Sequence, residues 1–81
     1  MKIFAVFNYP NNGLQHHQKE VRSAHLQLGN SYELERASVG PSFSTVALSG
    51  IQGCFNSVHF DFIDEARRPV DIYAMPCFQN Y

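Results

Sequence analysis

Tryptophan is absent, cysteine occurs twice, and charged residues make up only 16% of the 81 positions. Two cysteines without a second pair or a Cys/His spacing exclude a structural zinc pattern and make no disulfide framework, so Cys54 and Cys77 are expected as buried free thiols. The formal net charge of -1 removes the basic field on which nonspecific nucleic-acid and anionic-membrane binding depend. Long hydrophobic runs are also missing. The apolar stretch Ile3-Phe4-Ala5-Val6-Phe7 ends at Asn8-Tyr9-Pro10, too short for a signal-peptide core or a membrane span. A cytoplasmic location in the host cell is the resulting expectation.

What is present describes one ordered domain over residues 1–81. Hydrophobic residues reach 44%, and seven Phe with four Tyr supply bulk to a small core. A chain this short buries only about 60% of its unfolded surface, so self-association into a homo-oligomer or a partner would add needed stability. Some of the aromatic rings must then lie at the surface, where they favour contact with another molecule.

Periodicity points to strands. Lys2 to Asn8 is apolar on both faces, as in a strand in the middle of a sheet or at a subunit contact, and Pro10-Asn11-Asn12-Gly13 ends it in a turn. From Leu14 to Leu28 two patterns compete. Leu14, Val21 and Leu28 share a helical face with Asn12 as a possible N-cap, whereas His25 to Leu28, a Gly29-Asn30 turn and Tyr32 to Glu35 read as a hairpin. The combined expectation is a short helix or loop over Leu14 to Glu20 and a strand over Val21 to Leu28. The apolar parity switches from Tyr32 and Leu34 to Ala37 and Val39, which predicts a bulge near Arg36. After Gly40-Pro41, Phe43 to Ser49 reads as a strand with Ser44, Val46 and Leu48 on one face. Cys54 to Ile63 reads as another, with Cys54, Val58, Phe60 and Phe62 opposite Ser57, His59 and Asp61. Val70 to Met75 is expected to pair back.

Six such runs joined by Gly, Pro and Asn define a mainly β protein: a small curled antiparallel sheet or SH3-like barrel with at most one short helix. The alternative is an α+β sandwich with a full helix over 14–28. Across Leu28 to Tyr73, the runs Thr45-Val46-Ala47-Leu48-Ser49-Gly50, Phe55-Asn56-Ser57-Val58-His59-Phe60 and Pro69-Val70-Asp71-Ile72-Tyr73, with Leu28-Gly29, Tyr32-Glu33-Leu34 and Gly40-Pro41-Ser42, resemble small uncharacterised proteins of bacteria and their phages. That resemblance implies a β-domain of phage origin and carries no catalytic residues.

Chemistry-bearing residues fall into four groups. His16, His17 and His25 are close in sequence, but adjacent residues point apart and no zinc-type spacing accompanies them, so solvated histidines are expected and no metal. Ser57, His59 and Asp61 share a strand face in an order that invites an acid–base group. Alternate residues on a strand stand about 6.5 to 7 Å apart, too far for a nucleophile and its base, so no catalytic assignment follows. The Ser42, Ser44 and Thr45 hydroxyls after Gly40 can hold a small ligand, with Asn56, Ser57, His59 and Asp61 across the sheet, although satisfying local backbone is the commoner role of such residues. Arg67 and Arg68 in the mixed-charge Asp64 to Arg68 connection, together with Tyr73, Phe78 and Tyr81, are the candidate partner-binding residues.

The functional expectation is a non-enzymatic, phage-encoded binding protein without cofactor that inhibits or modulates a host defence protein. The alternative, from another class, is an oligomer that binds a nucleotide-like small molecule.

Overall fold

A computed structural model describes residues 2–75. Five strands, β1 (Ile3–Phe7), β2 (Ser31–Val39), β3 (Ser44–Leu48), β4 (Phe55–Asn56) and β5 (Phe60–Asp64), form one antiparallel sheet in the order β4-β3-β2-β1-β5, accompanied by a single α-helix, α1 (Gln15–Ser23). The protein is therefore mainly β, as its periodicity predicts.

The topology forces the sheet to curl. β4 and β5 occupy opposite edges, and a flat sheet would hold them about 19 Å apart at the usual strand spacing. Only the 3-10 turn Ser57–His59 joins them, and the four residue steps from Asn56 to Phe60 span at most about 14 Å even when extended. The sheet must roll up to bring its edges together. β2 makes this possible by serving two neighbours in succession: Ser31 to Glu33 pair with β1, and Leu34 to Val39 pair with β3. At the start of the β3-paired half the register shifts between Leu34 and Arg36, which is the predicted bulge and bends the strand.

Ile3, Ala5 and Phe7 of β1, Val46 and Leu48 of β3, Phe55 of β4, and Phe60 and Phe62 of β5 fill the enclosed core. Phe60 packs with Phe7 and Phe62 at ring separations of 5.7 and 6.3 Å. Ile72, fully buried in a second 3-10 turn (Ile72–Ala74), and Val21 of α1 close the core from outside the sheet.

Several local expectations are corrected. The helix runs to Ser23, and residues 25–28 form no strand, because Val21 is the one helical side chain that reaches the core while Leu14 and Leu28 stand exposed. Gly29-Asn30 is not a hairpin turn: the Gly29 N–H donates to the Phe7 carbonyl, and β2 finds its partner in β1. Asn12 does not cap the helix; its Nδ2 donates to the Val58 carbonyl, and Leu14 takes the cap position. Cys54 to Ile63 is interrupted by a 3-10 turn, so Cys54 and Val58 are exposed while Ser57 and His59 are buried, the reverse of a single strand's alternation. Cys54 is thus an exposed free thiol, and Cys77 lies outside the described residues. Val70 to Met75 adds no strand; only an isolated Pro69–Ile63 bridge and a Val70 N–H bond to the Phe62 carbonyl remain of that pairing. Among the described residues no helix is long and apolar enough to cross a membrane.

Candidate functional site

The turn after β1 is laced to the turn between β4 and β5. The backbone N–H groups of Asn8 and Tyr9 both donate to the His59 carbonyl, and the His59 Nδ1–H donates to the Tyr9 carbonyl at 2.8 Å. Since a carbonyl can only accept, Nδ1 carries the proton in this contact. His59 is fully buried beside Phe7 and Phe60, and its Nε2 meets no polar partner among the described residues. Its role here is to pin the strand exit.

The lacing positions α1 against β4. Gly13 takes a φ of +78°, which glycine adopts without a Cβ penalty, and so turns the chain into the helix. The Leu14 N–H donates to His17 Nδ1 at 3.1 Å, and Gln18 Nε2 donates back to the Gly13 carbonyl. Opposite, Asn56 Oδ1 accepts the Val58 N–H and caps the 3-10 turn. Asp71 caps the following turn through the Tyr73 N–H, and buried Ile72 anchors it, which swings Tyr73 over Ser57 so that its hydroxyl donates to Ser57 Oγ at 2.8 Å.

Between α1, the Gly40–Phe43 turn and the Ser57–His59 turn lies an open cleft of about 810 Å³. Leu14, Phe43, Val58 and Tyr73 line it, four of the six large apolar side chains that stand exposed among the described residues. Polar groups also face the cleft: His16, His17, Glu20, Ser42, Ser44, Thr45, Asn56 and Ser57. Of these, Ser44, Asn56 and Ser57 are buried. The His16 and His17 rings lie 4.0 Å apart, and among the described residues no three His, Cys, Asp or Glu side chains are placed to hold a metal ion.

The structure therefore brings together Ser42, Ser44, Thr45, Asn56 and Ser57 and adds Tyr73 to them, but separates His59 and Asp61. Asp61 is exposed on β5, where it accepts from Asn8 Nδ2 at 2.7 Å and from the Tyr9 hydroxyl at 2.9 and 3.0 Å. The hydrogen bond to Asp61, reinforced by its charge, pushes the Tyr9 hydroxyl above the ordinary tyrosine range. Ser57 thus pairs with Tyr73, whereas His59 and Asp61 hold two ends of Tyr9, its carbonyl and its hydroxyl.

Asp61 and Arg67 line another depression, of about 720 Å³, shared with Tyr73. Asp64 organises the loop beside it: Oδ1 accepts the Ala66 and Arg68 N–H groups, and Oδ2 meets Arg68 Nε at 3.1 Å. The Arg68 N–H chiefly holds the Asp64 carboxyl below its usual range, with Ala66 N–H and the Arg68 charge adding to it against partial desolvation. Arg67 adopts a φ of +63° at the loop's tip, where its N–H donates to the Asp64 carbonyl at 3.0 Å. Phe78 and Tyr81 lie outside the described residues.

Leu14, His17, Phe43 and Val58 belong to the cleft without having been placed in a ligand site from sequence. Their signal was available only in part: an apolar residue beside a turn reads as core until the turn is seen to face outward.

The fold and cleft define the class: a small curled β-sheet protein with one packed helix and an aromatic-rimmed surface cleft. Over residues 2–81 the chain matches the family of bacteriophage T4 protein Y07B, and it belongs to that family. No curated protein and no solved structure matches it.

Proposed function

We propose that this phage-family protein is a non-enzymatic binding protein whose cleft takes a small planar molecule. The observation that carries the proposal is the gathering of Leu14, Phe43, Val58 and Tyr73 around a floor containing the buried polar groups of Asn56 and Ser57. An apolar surround with a few fixed polar groups, at several hundred Å³, is the usual form of a small-molecule site. Aromatic side chains stack planar rings at modest entropic cost because they have few rotatable bonds. Among the described residues no Lys or Arg lines the cleft and Glu20 does, while the Arg36 guanidinium reaches only the Sγ of the lining Cys54 at 3.8 Å, so a polyphosphate finds little counter-charge in the wall. Within the nucleotide-like class, the base is the part that fits. A non-catalytic role accords with the hydrogen bonds that Ser57, His59 and Asp61 make, Ser57 with Tyr73 and both His59 and Asp61 with Tyr9, none of which pairs one of the three with another.

A thermal-shift panel of nucleosides and their triphosphates tests the proposal. A nucleoside at 100 times its dissociation constant stabilises by about 2.7 kcal/mol and raises Tm. The triphosphate should do no better than the nucleoside. A flat panel would remove the reading.

A second reading, inhibition of a host defence protein, is favoured by one observation: Arg67 projects from a loop whose shape Asp64 fixes. A preorganised arginine is a common anchor in protein interfaces. Pull-down from host lysate with the wild type and Arg67→Ala should then recover a protein that the variant loses; recovery of the same proteins by both would count against it.

A further inference from the structure

The polar floor of the cleft contains a mismatch that specifies what should fill it. His17 Nε2 and Asn56 Nδ2 lie 3.4 Å apart. A neutral imidazole has one ring nitrogen that accepts and one that donates. The Leu14 N–H points at His17 Nδ1 at 3.1 Å, so Nδ1 is the acceptor and Nε2 carries the proton. The Asn56 amide is fixed in the same way from its other side: its Oδ1 accepts the Val58 N–H, which turns its NH2 group toward His17. Two donors therefore face each other. Flipping the Asn56 amide only moves the conflict, because its NH2 would then meet the Val58 N–H; changing the His17 tautomer sets its proton against the Leu14 N–H.

Asn56 is only 8% exposed, and the open space it borders is the cleft. A single acceptor oxygen within about 2.9 Å of both nitrogens satisfies both donors. Water can do this, and a ligand oxygen that displaces it keeps both bonds. Glu20 on the cleft wall and the lack of a lining cation disfavour a carboxylate or phosphate oxygen.

We infer that His17 Nε2–H and Asn56 Nδ2–H form a two-donor clamp for an uncharged carbonyl oxygen carried on an aromatic ring, such as the exocyclic carbonyl of a nucleobase, with the ring lying against the Phe43, Val58 and Tyr73 surround. The inference rests on the cleft being a small-molecule site and adds the head group that it selects.

A fragment series with one ring and different head groups separates the two claims. Benzamide, benzoate, benzylamine and toluene are titrated into 15N-labelled wild-type protein and into Asn56→Asp, and dissociation constants are read from the shifts of cleft resonances. Benzamide should bind about five-fold more tightly than toluene, the ratio expected for roughly 1 kcal/mol of net hydrogen bonding. Its binding should move the Asn56 side-chain NH2 and His17 Nε2 signals, with benzoate and benzylamine binding no better than toluene. Asn56→Asp keeps an acceptor for the Val58 N–H and offers a second oxygen to His17, so it should erase the benzamide preference. If toluene and benzamide bind the cleft equally, the clamp is refuted and the site stands. Tightest binding by benzoate refutes the neutral-carbonyl assignment. If no fragment moves cleft resonances, the site itself is refuted, and the clamp with it. Since the series on the wild type decides between these outcomes, the test survives a poorly folding variant.

Discussion

Replacing Gly13 by alanine tests how tightly the turn after β1 is joined to the cleft, because the consequences of one added methyl can be worked from the structure. A Cβ at Gly13 would lie 3.1 Å from His17 Nδ1, 3.2 Å from Val58 Cγ2 and 3.3 Å from His17 Cβ, at a φ of +78°. Gly29 supplies the control: its φ is +85°, and an added Cβ would meet nothing within 4 Å. Both substitutions incur the left-handed penalty of about 1 to 2 kcal/mol for a non-glycine residue, offset by about 0.4 to 1 kcal/mol from the stiffer unfolded chain. Gly29→Ala should therefore cost about 1 kcal/mol. Gly13→Ala adds overpacking of about 1 kcal/mol, and it strains the Leu14–His17 hydrogen bond, worth about another 1 kcal/mol. Its total cost should be about 3 kcal/mol. Urea unfolding followed by circular dichroism measures both. With an m value near 1 kcal/mol/M for so small a chain, the two midpoints should differ by about 2 M. Equal costs within about 0.5 kcal/mol would refute the packing of Gly13 against His17 and Val58.

Three further outcomes are expected. Val21→Ala removes two methyl groups from the one helical side chain buried in the core and should cost about 2 kcal/mol by urea unfolding. A double-mutant cycle with Tyr73→Phe and Ser57→Ala should give a coupling of about 1 kcal/mol from their 2.8 Å hydrogen bond, and additive effects would count against it. Asp64 has a folded-state pKa below its unfolded one, so its contribution to stability is complete above the ordinary carboxyl range near pH ~4 and is lost as pH falls through the depressed value. The stability gap between wild type and Asp64→Asn should accordingly hold from pH 7 to pH 5 and narrow toward pH 2; a gap that widens on acidification would contradict the assignment.

The legible parts of this fold were those decided by local chemistry. The switch of apolar parity between Leu34 and Ala37 located the bulge in β2, beside the point where the strand changes partners, and Pro10 to Gly13 marked the end of β1. Misreadings arose where tertiary packing overrode alternation. A clean run around Gly29-Asn30 looked like a hairpin because nothing in those residues reveals that β1, more than twenty positions earlier, offers the competing edge. In Cys54 to Ile63 a signal was present but outweighed: Phe55 is out of phase with Phe60 and Phe62, and Asn56 stands two residues before the N–H that it caps. Five hydroxyl and amide residues of the cleft were named from sequence because polar side chains around a turn are conspicuous. His59 and Asp61 were grouped with them on a strand periodicity that the 3-10 turn breaks. Leu14 and Phe43 were missed as ligand contacts because exposure of an apolar side chain is a property of the folded surface, which local pattern does not encode.

The claim that the cleft is a ligand site is tested most directly by mapping uridine onto the assigned backbone amides of the labelled protein by NMR. Shifts should be confined to Leu14 through Glu20, Ser42 through Thr45, Asn56 through Val58 and Tyr73, saturating with a single dissociation constant. Shifts absent from those segments, or centred on the Asp64 to Arg68 loop, would contradict it.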